Sequence, residues 1–277
     1  MISMDKRGQI TVFIIVGILI LFLVVSLVFF IRPVEEEQIE VPEELNAVKL
    51  YIESCIEDVG KDAIIDNSLQ GGFYQLPEIS TEGYFVDAPY YFYRLERRVP
   101  SLNDLQIQLG FNLEDNLKNC INTTQFPGIN IELGDVISNV LIRESSVIFN
   151  VNMPVTIRKE EKVTSLQDFS STIQNIRLLT AYNSAKEIID EQANDPYSLC
   201  LSCLSEIANI NGMLIDTANI DDNSLLFTIT DLNSVIDEEP LTFRFANKYI
   251  EYGCDNLPST LEDSVLQSKL IECAQQR

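Results

Sequence analysis

The sequence predicts an α+β protein, in which an N-terminal transmembrane helix precedes an ectodomain of helices interleaved with antiparallel β-hairpins. Three observations predict it. An unbroken apolar run fills residues 10–31. Apolar residues recur at helical spacing in several later segments. From Val147 to Arg158, large apolar residues alternate with mostly polar ones, the period of a half-buried strand.

The apolar run reads ITVFIIVGILILFLVVSLVFFI from Ile10 to Ile31. As a helix it would rise roughly 33 Å, enough to cross a hydrocarbon core of ~30 Å. It is too long for the apolar stretch of a secretory signal, and Phe30-Ile31-Arg32-Pro33 offers no small-residue cleavage site. Lys6 and Arg7 precede the run and Arg32 follows it, so the positive-inside bias puts residues 1–9 in the cytoplasm. Residues 32–42 are a short stalk, acidic and proline-bounded from Pro33 to Pro42. Residues 43–277 then form the extracytoplasmic α+β domain, with a candidate subdivision near residue 195.

Pro42 suits a first helical position, and Leu45, Val48, Ile52, Cys55, Ile56, Val59 and Ala63 make one helix face before Gly71-Gly72 stops it. Short extended pieces follow at Phe73–Leu76, Tyr84–Val86 and Tyr90–Leu95. Ser101 caps a helix whose face is Leu102, Leu105, Leu109, Leu113, Leu117 and Cys120. Val136–Arg143 pairs back through Glu144-Ser145-Ser146 onto the alternating strand, where Pro154 suggests an edge position. Residues 172–193 return to helical spacing through Ile173, Ile176, Leu179, Tyr182, Ala185 and Ile189. Asp195-Pro196 opens another helix, closed by Gly212. Strands are expected at Met213–Thr217, Leu225–Ile229 and Leu241–Phe245, with Asp221-Asp222-Asn223 as a hairpin turn. A last helix covers about Ser259 to Ala274.

Composition narrows the chemistry. The chain has no histidine, which excludes Ser-His-Asp and Cys-His sites, HExxH zinc helices and histidine pH switches. Of 42 acids and 19 bases, one acid and three bases fall in residues 1–32, leaving a net −25 beyond them. Such a charge argues against nucleic acid as partner. No cofactor or metal site is predicted: Gly71-Gly72 lacks the Lys-Ser/Thr of a phosphate loop, and Cys200-Leu201-Ser202-Cys203 has neither a second CxxC nor a histidine to complete a zinc site. Six cysteines, Cys55, Cys120, Cys200, Cys203, Cys254 and Cys273, lie beyond the apolar run and read as disulfides. Fifteen pairings exist in principle; the sequential set is Cys55–Cys120, Cys200–Cys203 and Cys254–Cys273. With Asp195 as helix cap, Cys200 would sit more than a turn inside its helix, away from the position of a redox-active pair. Glu160-Glu161 reads as a solvated turn.

Lys6-Arg7-Gly8-Gln9-Ile10-Thr11, at the mouth of the apolar run, resembles an archaeal class III (type IV pilin-like) signal. The resemblance implies a processing junction between Gly8 and Gln9. Phe13 stands where that family usually carries glutamate. Glu53-Ser54-Cys55, Leu69-Gln70-Gly71-Gly72, Ala88-Pro89-Tyr90-Tyr91 and Cys200-Leu201-Ser202-Cys203 resemble a group of N-terminally anchored archaeal surface proteins, a likeness that implies no activity.

Two surface features remain. Tyr84, Tyr90, Tyr91, Tyr93, Arg94, Arg97 and Arg98 gather aromatics and bases within fifteen residues of a very acidic chain, a candidate partner patch. The competing reading turns Tyr91 and Tyr93 into the core. Asn122-Thr123-Thr124 is the sole glycosylation sequon. The expected protein is a single-pass, non-enzymatic binding or assembly component of the cell envelope, held in the lipid bilayer through residues 10–31 and partnered by other envelope or surface proteins. The alternatives are a pilin-like filament or secretion subunit processed after Gly8, and an extracytoplasmic enzyme using carboxylates or the Cys200/Cys203 pair.

Overall fold

The computed structural model describes residues 15–26, 43–81, 87–194, 196 and 199–249. It divides into a unit ending at Glu43 and a larger one from Glu44 onward. In the first, residues 15–26 form helix α1 with exposed apolar side chains from Ile15 to Val25. Among the described residues no helix is long and apolar enough to cross a membrane. The rest of the expected span, the Gly8-Gln9 junction, the stalk, the Tyr84–Val86 piece, the C-terminal helix and Cys254–Cys273 lie outside the described residues.

The larger unit is α+β. Helix α2 (Glu43–Leu69) buries all seven residues of the expected face. It ends where Gly71 and Gly72 take left-handed φ of +58° and +82°, and a Cβ on Gly71 would strike the Pro89 ring and the Arg244 carbonyl. Both positive φ and close approach therefore demand glycine. Helix α3 (Leu102–Cys120) starts on a reciprocal capping box: the Ser101 hydroxyl accepts the Asp104 N–H, and Asp104 accepts the Ser101 N–H. Leu105, Leu109, Leu113 and Leu117 are buried. Phe73–Leu76, expected as a strand, is a loop. Its Tyr74 and Gln75 N–H groups both donate to Gln108 Oε1 of α3, so no strand partner is needed.

One sheet has the order β2-β1-β9-β8-β7, from β1 (Tyr90–Tyr93), β2 (Glu96–Arg97), β7 (Leu214–Asp221), β8 (Ser224–Ile236) and β9 (Glu239–Lys248). It is mixed rather than wholly antiparallel, because β1 runs parallel to β9, with Tyr90 opposite Ala246. The second sheet centres on β5 (Ser146–Lys159). One side of β5 is shared by β3 (Asn130–Leu133) and β4 (Ile137–Ile142), and the other is taken by β6 (Lys162–Gln174). Pro154 is therefore on a central strand, not an edge. It sits at a register shift and in the gap between the β3 and β4 pairings, where its missing N–H breaks no ladder bond, and its carbonyl accepts the Gly134 N–H. The free edge of β4 is covered by α3, whose Glu114 and Gln106 accept the Ser138 and Ile142 N–H groups.

Residues 172–174 complete β6, so helix α4 begins later than expected and spans Leu178–Asn194. Ile173 and Ile176 mimic helical spacing, yet one is an inward strand residue and the other lies in the connection. Pro196 stands in a turn, and helix α5 (Leu201–Asn211) starts on Cys200. Gly212 closes α5 in the left-handed region, as expected. Helix α4 packs on β1, β8 and β9, and α5 packs on α4 and β7. A single buried cluster runs from Leu45 to Phe245 and crosses residue 195 without a break.

Candidate functional site

The expected partner patch divides between core and surface. Tyr91 is fully buried, stacks on Phe245 at 4.8 Å and donates its hydroxyl to the Gly71 carbonyl. Burial pushes its phenol well above the ordinary range. Tyr90 is also buried, its hydroxyl 3.2 Å from that of Ser224. Tyr84 lies outside the described residues. These tyrosines position the strand, and the surface belongs to its continuation.

That continuation is the tip of the β1–β2 hairpin. Phe92 pairs with Arg97 and Tyr93 with Glu96, leaving Arg94 and Leu95 as a two-residue turn. Both have positive φ, 49° and 76°, which matches the twist of a tight hairpin but strains side-chain-bearing residues. The Arg94 N–H donates to the Lys248 carbonyl, and the Arg98 N–H to the Tyr91 carbonyl, so the frame over-determines the turn. The Arg94 and Arg98 guanidinium groups lie 5.3 and 5.8 Å from the Tyr93 ring centroid. Arg98 pairs with Glu96, Arg97 with Asp190 of α4, and Arg94 has no carboxylate partner among the described residues. Leu95, the second turn residue, is 47% exposed. The sequence marks the arginines by composition. It gives no sign of Leu95 as an exposed turn residue or of Asp190 as a partner, because both follow from the turn and the packing of α4.

The other predicted positions are placed as follows. Cys55 is bonded to Cys120, joining α2 to the end of α3, and Cys200 to Cys203. Asn122 is exposed just beyond Cys120; its Oδ1 accepts the Thr124 N–H and hydroxyl, and its own N–H donates to the Tyr51 hydroxyl. Glu160 and Glu161 form the exposed β5–β6 turn. Asp221-Asp222-Asn223 forms the β7–β8 turn, where Asp221 accepts the Asn223 N–H and pairs with Lys248. Burial raises the Asp221 carboxyl, but Lys248, the Asn223 N–H and Ser224 outweigh it and hold the group below its usual range. Among the described residues no cluster of potential metal ligands occurs.

Cys200 is the N-cap of α5, and the Cys203 N–H donates to its sulfur at 3.2 Å. The pair thus occupies the helix start, not the interior expected from an Asp195 cap. A separate cleft of about 450 Å³ is lined by Lys49, Glu53, Asn139, Asn150, Asn152 and Asp168 among others. Its two carboxylates are engaged: Glu53 pairs with Lys49 at 3.8 Å, and Asp168 accepts from Asn152 at 2.9 Å.

Comparison with protein families, with curated proteins and with solved structures finds no match for this chain.

Proposed function

We propose that this chain is a membrane-anchored binding or assembly protein of the cell envelope, with its body outside the cytoplasm and the β1–β2 hairpin tip as its recognition element. One observation carries the reading: on a chain of net charge −23, a strained hairpin turn holds an exposed leucine within a run of three arginines, two of them over one tyrosine ring. An apolar anchor within a basic rim suits a partner surface that pairs carboxylates with an apolar pocket. The apolar run Ile10–Ile31 with its basic leading flank supports the anchor and the orientation. Disulfides in the body support an oxidising compartment.

The test is a photo-crosslinking residue in place of Leu95 in the full-length protein on intact cells. A discrete cross-linked partner is expected, and Arg94→Glu with Arg98→Glu should remove most of it. Cross-linking that ignores this charge reversal overturns the recognition element. Protease protection of the body in intact cells overturns the orientation. N-terminal sequencing that begins at Gln9 would instead make the chain a processed, pilin-like subunit.

A further inference from the structure

The Cys200–Cys203 disulfide joins residues three apart in sequence and spans no two elements of the fold. Its sulfurs sit in the first turn of α5, where no acidic residue stands. The Cys203 N–H points at Cys200 Sγ, and the Ser202 hydroxyl lies 3.4 Å from the same sulfur. When the bond is open, a thiolate on Cys200 gains this N–H and the positive end of the helix, both of which favour it over the thiol. The two cysteines are only partly buried. Ile188, Leu199, Leu204 and Ile207 line a small cleft beside them, and Glu191 is its charged wall. Leu201, between the cysteines in sequence, is 66% exposed and offers an apolar ledge to another chain. The contrast is internal: Cys55 is 2% exposed and its bond ties two helices together.

We propose that Cys200–Cys203 is a thiol–disulfide exchange site that accepts electrons from a dithiol of a second protein chain. A thiolate of that chain attacks Cys200 Sγ. The Cys200–Cys203 bond breaks, and Cys203 leaves with the electron pair and takes a proton from solvent. The second thiol of the other chain loses its proton to solvent and attacks its own partner sulfur in the mixed disulfide. Cys200 is released as a thiolate beneath the Cys203 N–H. The second chain loses two electrons and gains a disulfide, while Cys200 and Cys203 are reduced. A small-molecule disulfide restores the pair by the same two displacements in reverse.

This inference is independent of the hairpin-tip reading, since the probe is a synthetic peptide carrying two cysteines. Full-length oxidised protein in detergent should convert one equivalent of the reduced peptide to its disulfide. Alkylation and mass mapping should place the new thiols on Cys200 and Cys203, with Cys55–Cys120 intact. Given the oxidised peptide, Cys203→Ser should accumulate a mixed disulfide on Cys200 at least about tenfold faster than Cys200→Ser does on Cys203. Glu191→Gln should accelerate that capture by removing the opposing carboxylate. Retention of Cys55–Cys120 in each variant reports folding. The proposal fails if the peptide stays reduced while Cys200–Cys203 stays closed, if the two variants react equally, or if the new thiols map to Cys254 or Cys273.

Discussion

The half of the body built on β3–β6 fastens its helices covalently, whereas the half built on β1, β2 and β7–β9 does so ionically. In the first, Cys55–Cys120 joins α2 to α3, and Tyr51 reinforces the joint by donating to the Cys120 carbonyl and accepting from Asn122. In the second, Arg177 reaches from the start of α4 to the fully buried Asp231 of β8. At the register shift after Asp231, the Asn233 N–H and Ser234 hydroxyl also donate to that carboxylate. Arg177 further donates to the Asn211 and Gly212 carbonyls at the end of α5. One charged hub therefore sets two helices on one sheet. A covalent joint resists acid and yields to reductant, and an ionic hub does the reverse, so the halves should fail under different stresses.

The largest effect should come from the hub. Asp231→Ala leaves the part-buried Arg177 without its counter-charge and should cost about 3–5 kcal/mol in urea unfolding. Burial by itself raises the Asp231 carboxyl, but Arg177, Ser234 and the Asn233 N–H more than compensate and hold it below its usual range. Because the folded value is the lower one, this contribution is complete above the unfolded carboxyl's value of about 4 and is lost as pH falls through the folded value. Unfolding midpoints between neutral and acid pH should thus fall more steeply in the wild type than in Asp231→Ala.

Opening Cys55–Cys120 by paired alanine substitution should cost about 4 kcal/mol through the long loop it closes, and the loss should not follow the acid titration of Asp231. The same change at Cys200 and Cys203 closes so short a loop that about 2 kcal/mol is the upper expectation. A loss equal to that at Cys55–Cys120 would erase the distinction between a structural joint and an exchange site. The smallest effect should be Ser101→Ala, at about 1 kcal/mol, from loss of the α3 cap at the end of the helix opposite the covalent joint.

Legibility in the sequence follows the same division. Helices α2 and α3 were readable to within a residue or two, since each buries one face of regular spacing and carries its own stop or cap. The β4–β5 hairpin was equally plain, because β5 has one face in the core. Strand β6 was not. Only Phe169 and Ile173 of it are buried, so most of its length carries no alternation to read. The hub was also illegible, for Arg177 and Asp231 are 54 residues apart and neither stands out in so charged a chain. At the candidate recognition site the arginines were visible as a local cluster. The competing reading turns Tyr91 inward, as found, and Tyr93 is half-buried; the burial of Tyr90 was not visible, because β1 is covered only once it lies beside β9.

The sequence by itself determined the apolar run, the acidic balance, the absence of histidine chemistry, the long helices and the turn at Asp221–Asn223, all features set within a few neighbouring residues. Tertiary structure decided the parallel seating of β1, the place of Pro154 on a central strand, the charged hub and the exposure of Leu95. It also settled where α5 begins, and with that moved Cys200 from a helix interior to a helix start. The physical reason is one of range: spacing and capping act over a turn or two of chain, whereas burial and pairing depend on which distant segment arrives alongside.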